Sequence, residues 1–248
     1  MHWHDGSEGG TLPRMWLHIL ILTLVTLQRL IELVIAHRNT RKIEARGGFV
    51  DARDHVVEQI EQVRARRADD VAHRRTAITG VNEYPDLVES PLAPSSGDAV
   101  ARYAAGFEAL RDRSDAYLER TGARPAVLLL PLGPLAEHNI RATFAANLLA
   151  SGGIEAVNPG TVDAAGVAAA VRTAGAAVAL ICGTDARYGS DAAGVVGAAC
   201  AAGVEQVLLA GPEKAVADVP AESRPDGYLT AKIDAVEALS SLLTRLGA

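Results

Sequence analysis

Hydrophobic and polar positions divide the chain into three kinds of segment. Residues 15–36, MWLHILILTLVTLQRLIELVIA, are apolar on every side of a helix and long enough to cross a bilayer. Residues 51–75 are polar, with Val56, Ile60, Val63 and Val71 recurring at helical spacing. TAITG then reads as a short strand ending at Gly80, and residues 85–97 as a Pro/Ser-rich linker. A helix is expected over 98–121, with Asp98 as N-cap and Gly122 as its stop.

From residue 125 the pattern changes to alternation. Short apolar runs at 126–130, 154–157, 177–182, 205–210 and near 227–230 read as strands. Helical stretches lie between and after them, at about 136–151, 162–174, 188–202 and 232–246. Strands separated by ten- to fifteen-residue helices predict βαβ units and a parallel sheet. Five strands predict a flavodoxin-like, doubly wound α/β domain over 125–248. Ligands in such folds bind outside the carboxyl ends of the strands. The loop LGPLAEHN after the first strand falls on that edge and carries His138.

The apolar stretch 15–36 admits two readings, a membrane helix or a helix buried against protein. Arg29 and Glu32 near its end are spaced to pair. Charges near a helix centre cost roughly 2.5–3.5 kcal/mol each, while Leu, Ile and Val return roughly 0.3–0.6 each. With thirteen Leu, Ile and Val residues in the stretch, insertion is near balance. The following HRNTRK is basic, which sets the C-terminal side in the cytoplasm. The leading residues 1–14, polar and Gly-rich with His2 and His4, read as a loose terminus. No small-residue cleavage site of a signal peptide follows the stretch.

Composition narrows the chemistry. The 248 residues are 49% hydrophobic but only 4% aromatic, with a net charge of −6. Acidity argues against a phosphate-backbone partner, and the bases at 38–46 and 64–75 are interleaved with acids as on a solvated helix face. Two cysteines, Cys182 and Cys200, form no CxxC spacing and read as small buried hydrophobes. His55 and His73 read as solvated residues on a polar helix. Asp185, Tyr188 and Asp191 follow the third strand, where capping of the next helix by Thr184 or Asp185 outweighs ligand contact. No phosphate-binding glycine loop and no nucleophile elbow occurs.

The run VRARRADDVAHRRTAITGVNEYPDLVE resembles the end of the catalytic barrel of methylmalonyl-CoA mutase and its linker. LGPLAEHNIRATFAANLLASGGIEAV, ICGTDARYGSDA and VLLAGP are similar, in order, to the C-terminal domain of that family's small subunit. The resemblance covers about 51–248. It implies a flavodoxin-like domain of the cobalamin-binding kind, in degenerate form, that pairs with a cobalamin-bearing large subunit. It makes 51–84 a remnant of the barrel end, 98–124 a connecting helix and 125–248 the α/β domain.

In the working subunit of that family a D-x-H-x-x-G loop supplies the lower cobalt ligand, oriented by its acid. The comparable positions carry Ala136 in place of the acid and Arg141 in place of the glycine. Glu137, adjacent to His138, points about 100° away if both are helical. The later Ser-x-Leu element is absent, and Pro212 replaces the second glycine of a Gly-Gly pair. By resemblance the edge of a cobalamin site would comprise Gly133, Glu137, His138, Asn139, Gly183 and Gly211. These departures predict that adenosylcobalamin sits on a partner subunit rather than on this chain. A (β/α)₈ barrel needs about 200 residues, so the chain alone is expected not to isomerise methylmalonyl-CoA.

A second resemblance covers residues 28–48. Arg29, Leu30, Glu32, Leu33, Arg38, Asn39 and Gly47 follow the first-helix pattern of isoprenylcysteine carboxyl methyltransferase-like membrane proteins. Nothing corresponding to that family's methyl-donor site follows, so no methyltransferase activity is implied. The competing functional expectations are a non-catalytic partner subunit, a cobalamin-binding module with an altered loop, and a membrane-anchored relic.

Overall fold

The computed structural model describes residues 14–45, 47, 52–89 and 102–248. The expected loose terminus up to residue 13, the expected cap Asp98 and most of the linker lie outside these residues. The chain forms two compact units, Met1–Gln62 and Val63–Ala248.

The first unit contains α1 (Arg14–Glu44) and the start of α2 (Arg53–Ala72). Helix α1 runs beyond the apolar stretch because 37–44 carry good helix formers and no glycine or proline. Its apolar window has a mean hydropathy of 2.1, and none of it is buried within the chain. Polar groups on α1 are satisfied locally. The Thr26 hydroxyl donates to the Leu22 carbonyl at 2.8 Å, and Arg29 meets Glu32 at 2.7 Å.

In the second unit, α2 ends with Val71 buried. Residues 76–80 do not form the expected strand: a single bridge joins Thr79 to Glu83. Asn82 supplies what a neighbouring strand would have supplied. Its buried side chain accepts from Ile78 N–H at 2.7 Å and donates to the Val71 and Thr76 carbonyls at 3.1 and 2.9 Å. His73 is half-buried and lies 3.1 Å from Asp69, and His55 is half-buried near Glu58, so neither is simply solvated. Helix α3 (Ala105–Thr121) starts later than expected, without a side-chain cap, and closes at Gly122 as expected.

The α/β domain is built as the alternation predicts. Its elements are β1 (Ala126–Pro131), α4 (Leu135–Ser151), β2 (Glu155–Val157), α5 (Val167–Ala174) and β3 (Val178–Cys182). Then come α6 (Asp185–Ala201), β4 (Gln206–Leu209), two short 3₁₀ turns, β5 (Gly227–Tyr228) and α7 (Ala235–Arg245). The five strands are all parallel in the order β2-β1-β3-β4-β5. This is the flavodoxin-like order, with its switch between β1 and β3. Strands β1 and β3 are continuous apolar runs because helices cover both faces of the sheet.

Side-chain alternation divides the core into two layers. Val127, Leu129, Leu180 and Cys182 face α3, α4 and α7 with Phe107, Leu148 and Leu239. Leu128, Leu130, Ile181 and Leu209 face α5 and α6 with Val171, Tyr188 and Val195. Helix α5 begins at Val167 rather than 162, because Asp163 closes a turn by accepting from Gly166 N–H at 2.9 Å.

Candidate functional site

The carboxyl ends of β1, β3 and β4 bring the loop 132–141, the start of α6 and residues 210–212 together. Leu132 N–H donates to the Cys182 carbonyl at 2.8 Å, which fixes the loop after β1 beside β3. Gly133 then turns with φ +72, where a Cβ would meet Arg187 Nε at 2.7 Å and Glu137 Oε2 at 2.8 Å. The turn needs glycine for both conformation and space. It delivers the chain into α4 at Leu135.

His138 lies in the first turn of α4 and is 4% exposed. Its Nδ1 is 3.0 Å from the Gly133 carbonyl oxygen, so it bonds within its own loop. Glu137 points elsewhere, as helical geometry requires, and Arg187 Nε donates to its Oε2 at 2.5 Å. The same guanidinium reaches Asp191 at 3.3 Å. The Glu137 carboxylate holds Arg187 above its ordinary pKa, with Asp191 adding to the effect. Asn139 is exposed, and its amide oxygen is 3.5 Å from the Thr143 hydroxyl.

Tyr188 fills the space between the loops after β3 and β4. It is fully buried. Its hydroxyl accepts from Gly183 N–H at 2.8 Å and donates to the Ala210 carbonyl at 2.7 Å. Burial pushes its phenol above the ordinary tyrosine value. Gly211 sits against this ring, where a Cβ would lie 3.0 Å from Tyr188 Cε2 and 3.2 Å from Arg141 Nη1. Arg141 donates to the Ala210 carbonyl at 3.3 Å and reaches Asp185 at 3.2 Å. Thr184 caps α6 by accepting from Arg187 N–H at 3.3 Å.

The six residues expected at the site edge thus gather at the ends of three strands, but only three contribute side-chain or backbone groups that meet: Gly133, Glu137 and His138. Gly183 and Gly211 flank Tyr188 instead. Sequence reasoning missed Arg187, whose one readable signal is its i, i+4 spacing to Asp191. Tyr84 leaves its ring 76% exposed. Its backbone N–H donates to Asn147 of α4 at 2.7 Å, while Asn147 donates to Glu83 at 2.7 Å. The ring stays outside because φ +50 at Tyr84 turns the chain there. The cysteines also divide. Cys182 is buried, with its thiol pushed up to about 12 by desolvation. Cys200, expected to be buried, is exposed, because it lies on the outer side of α6.

A cavity of about 440 Å³ opens beside the ion pair, lined by Leu132, Gly133, Thr161, Asp163, Arg187 and Asp191 among others. A larger groove of about 540 Å³ lies among α2, α3 and α7, and none of the expected site residues lines it. Among the described residues no group of three His, Cys, Asp or Glu side chains could hold a metal ion. The residues present do not fit a cobalamin in this arrangement. The imidazole is buried with one nitrogen on a backbone carbonyl, and the adjacent acid is bound to arginine. Tyr188 and Arg141 occupy the gap above the sheet.

No family model matches the chain. Curated relatives do. A probable methylmalonyl-CoA mutase small subunit of Mycobacterium tuberculosis is 67% identical over 215 residues, which is 86% of this chain and 35% of that protein. The methylmalonyl-CoA mutase small subunit of Streptomyces virginiae is 43% identical over 217 residues, covering 84% and 34%. That of Propionibacterium freudenreichii is 32% identical over 224 residues, covering 86% and 34%. The chain therefore spans about a third of the length of the curated relatives it matches. Over most of its own residues, the chain belongs to the family of methylmalonyl-CoA mutase small subunits.

Proposed function

We propose that this chain is a non-catalytic partner module of a cobalamin-dependent methylmalonyl-CoA mutase, binding a large subunit that carries the cofactor. The observation that carries this reading is the self-satisfied loop. His138 is committed to Gly133, Glu137 to Arg187, and Tyr188 to both neighbouring loops. Each group that would have to turn toward a corrin already has a partner inside the fold. Helix α1 supports a second element of the reading, attachment to a membrane, because it is long and apolar enough to cross a bilayer, with a mean hydropathy of 2.1 in its apolar window.

Co-purification with a mutase large subunit, followed by an absorption spectrum of each component, tests the proposal. The cobalamin spectrum is expected to follow the large subunit. The alternative, a cobalamin module with an altered loop, predicts a base-off, histidine-ligated spectrum on the isolated chain that His138→Ala abolishes. That result would overturn the partner reading.

A further inference from the structure

We propose that α1 crosses a bilayer in one fixed orientation, with Arg38, Arg41 and Lys42 at the anionic headgroups of the face where the rest of the chain lies. This rests on the membrane reading of α1 and adds its direction and its lipid class. The first support is exposure. Ile19, Leu20, Ile21 and Leu22 are successive, so together they point around a full turn of the helix, and they are 45%, 55%, 50% and 64% exposed. A helix that docks on protein presents one apolar stripe, whereas lipid covers all sides.

The second support is length. Trp16, an aromatic of the kind that sits at membrane interfaces, and His37 bracket the apolar core of the helix. They are separated by roughly 32 Å at 1.5 Å per residue, which matches a hydrocarbon core of about 30 Å. The third is satisfaction of polar groups. Thr23 and Thr26 donate to carbonyls one turn back, and Glu32 accepts from both Gln28, at 3.0 Å, and Arg29. That cluster lies in the last third, where Arg29 is paired with Glu32 and near enough to the helix end for its long side chain to reach an interface.

Charge supplies the direction. Within ten residues of the apolar stretch, Arg14 stands on one side and Arg38, Arg41, Lys42 and Arg46 on the other. Arg38, Arg41 and Lys42 occupy one side of the last turns and pair with no carboxylate among the described residues. Free bases just past an apolar helix attract anionic lipid and stay on the cytoplasmic side.

The two cysteines provide the test on the full chain expressed in bacterial cells. Cys200 is exposed, and Cys182 is buried with its thiol pushed up to about 12, so a membrane-impermeant maleimide reads Cys200 alone. The expected result is a membrane-bound chain that resists carbonate extraction and keeps α1. Labelling in intact spheroplasts should be below about a tenth of that after permeabilisation. Cys200→Ser should abolish the signal. Replacing Arg38, Arg41 and Lys42 together by glutamate should make a large share of Cys200 accessible without permeabilisation. It should also remove the enrichment of phosphatidylglycerol over phosphatidylethanolamine, relative to the host membrane, in the lipid co-purified in detergent. A soluble chain, or one cleaved after α1, overturns both the membrane reading and this inference. A membrane-bound chain with Cys200 open to the outside, or with lipid retention indifferent to the three bases, overturns the inference alone.

Discussion

Glu137 and Arg187 meet at 2.5 Å across the edge of the sheet, joining the start of α4 to the start of α6 over fifty positions of sequence. Both side chains are about a third exposed, so solvent screens the pair. Glu137→Gln is expected to lower stability by less than about 1 kcal/mol. A double-mutant cycle with Arg187→Gln, read by urea denaturation, should give a coupling energy of similar size that shrinks in high salt.

Gly133→Ala should cost more than either ion-pair variant. The added methyl must adopt φ +72 and displace both Arg187 and Glu137. Strain of about 1–2 kcal/mol is expected from the backbone alone. Thermal unfolding of Gly133→Ala in a background with both Glu137→Ala and Arg187→Ala separates the two contributions, because the shorter side chains remove both clashes and leave the strain.

Tyr188→Phe should destabilise the fold by about 1–3 kcal/mol, because Gly183 N–H loses its partner in a dry site and the Ala210 carbonyl keeps only the 3.3 Å bond from Arg141. Chemical denaturation measures this. Backbone amide exchange at Gly183 should quicken in the same variant.

High pH should unfold the domain in two stages. Burial moves the Cys182 thiol from 9.0 to about 12, and it also raises the Tyr188 phenol. A folded value above the unfolded one gives stability that is complete below the unfolded value and is lost as pH rises toward the folded value. Stability should therefore hold through neutral pH and begin to fall near 9, by up to ~1.4 kcal/mol per pH unit for each proton involved. Tyrosine adds its share above 10.0. Cys182→Ala should flatten the first stage and leave the second.

Asn82→Ala should be among the most damaging single changes outside the sheet. It leaves Ile78 N–H and the Val71 and Thr76 carbonyls without their shared partner, at a cost of about 2–3 kcal/mol. Asn82→Asp keeps the acceptor and loses the donors, so it should recover little. Urea midpoints of the two variants check this order.

The α/β domain was legible because its strands are covered on both faces. Val127 to Leu130 and Val178 to Cys182 have to be continuous apolar runs, and such runs stand out between helices. Local turn chemistry was harder. The Asp163 turn that delays α5 competes with helix only through one side-chain bond. Segment 76–80 has strand composition, yet among the described residues no strand lies beside it, and pairing of that kind is a tertiary fact. At the site, the loop's departures from a cobalamin pattern were readable one residue at a time. What replaced the missing groups was not. Arg187 meets Glu137 from a different helix, and Tyr188 reaches Ala210 across the sheet, so neither partnership has a sequence spacing. Cys200 was misplaced because α6 is rich in alanine and glycine, which blur its inner and outer faces.

The sheet ends in very short strands on both sides, three residues in β2 and two in β5. A short edge offers too few free backbone groups for another chain to add a strand. Fibril-like growth from this domain therefore has no template. Any self-association in dilute buffer should come from α1 seeking cover for its apolar surface, so detergent, rather than denaturant, is the additive expected to disperse it.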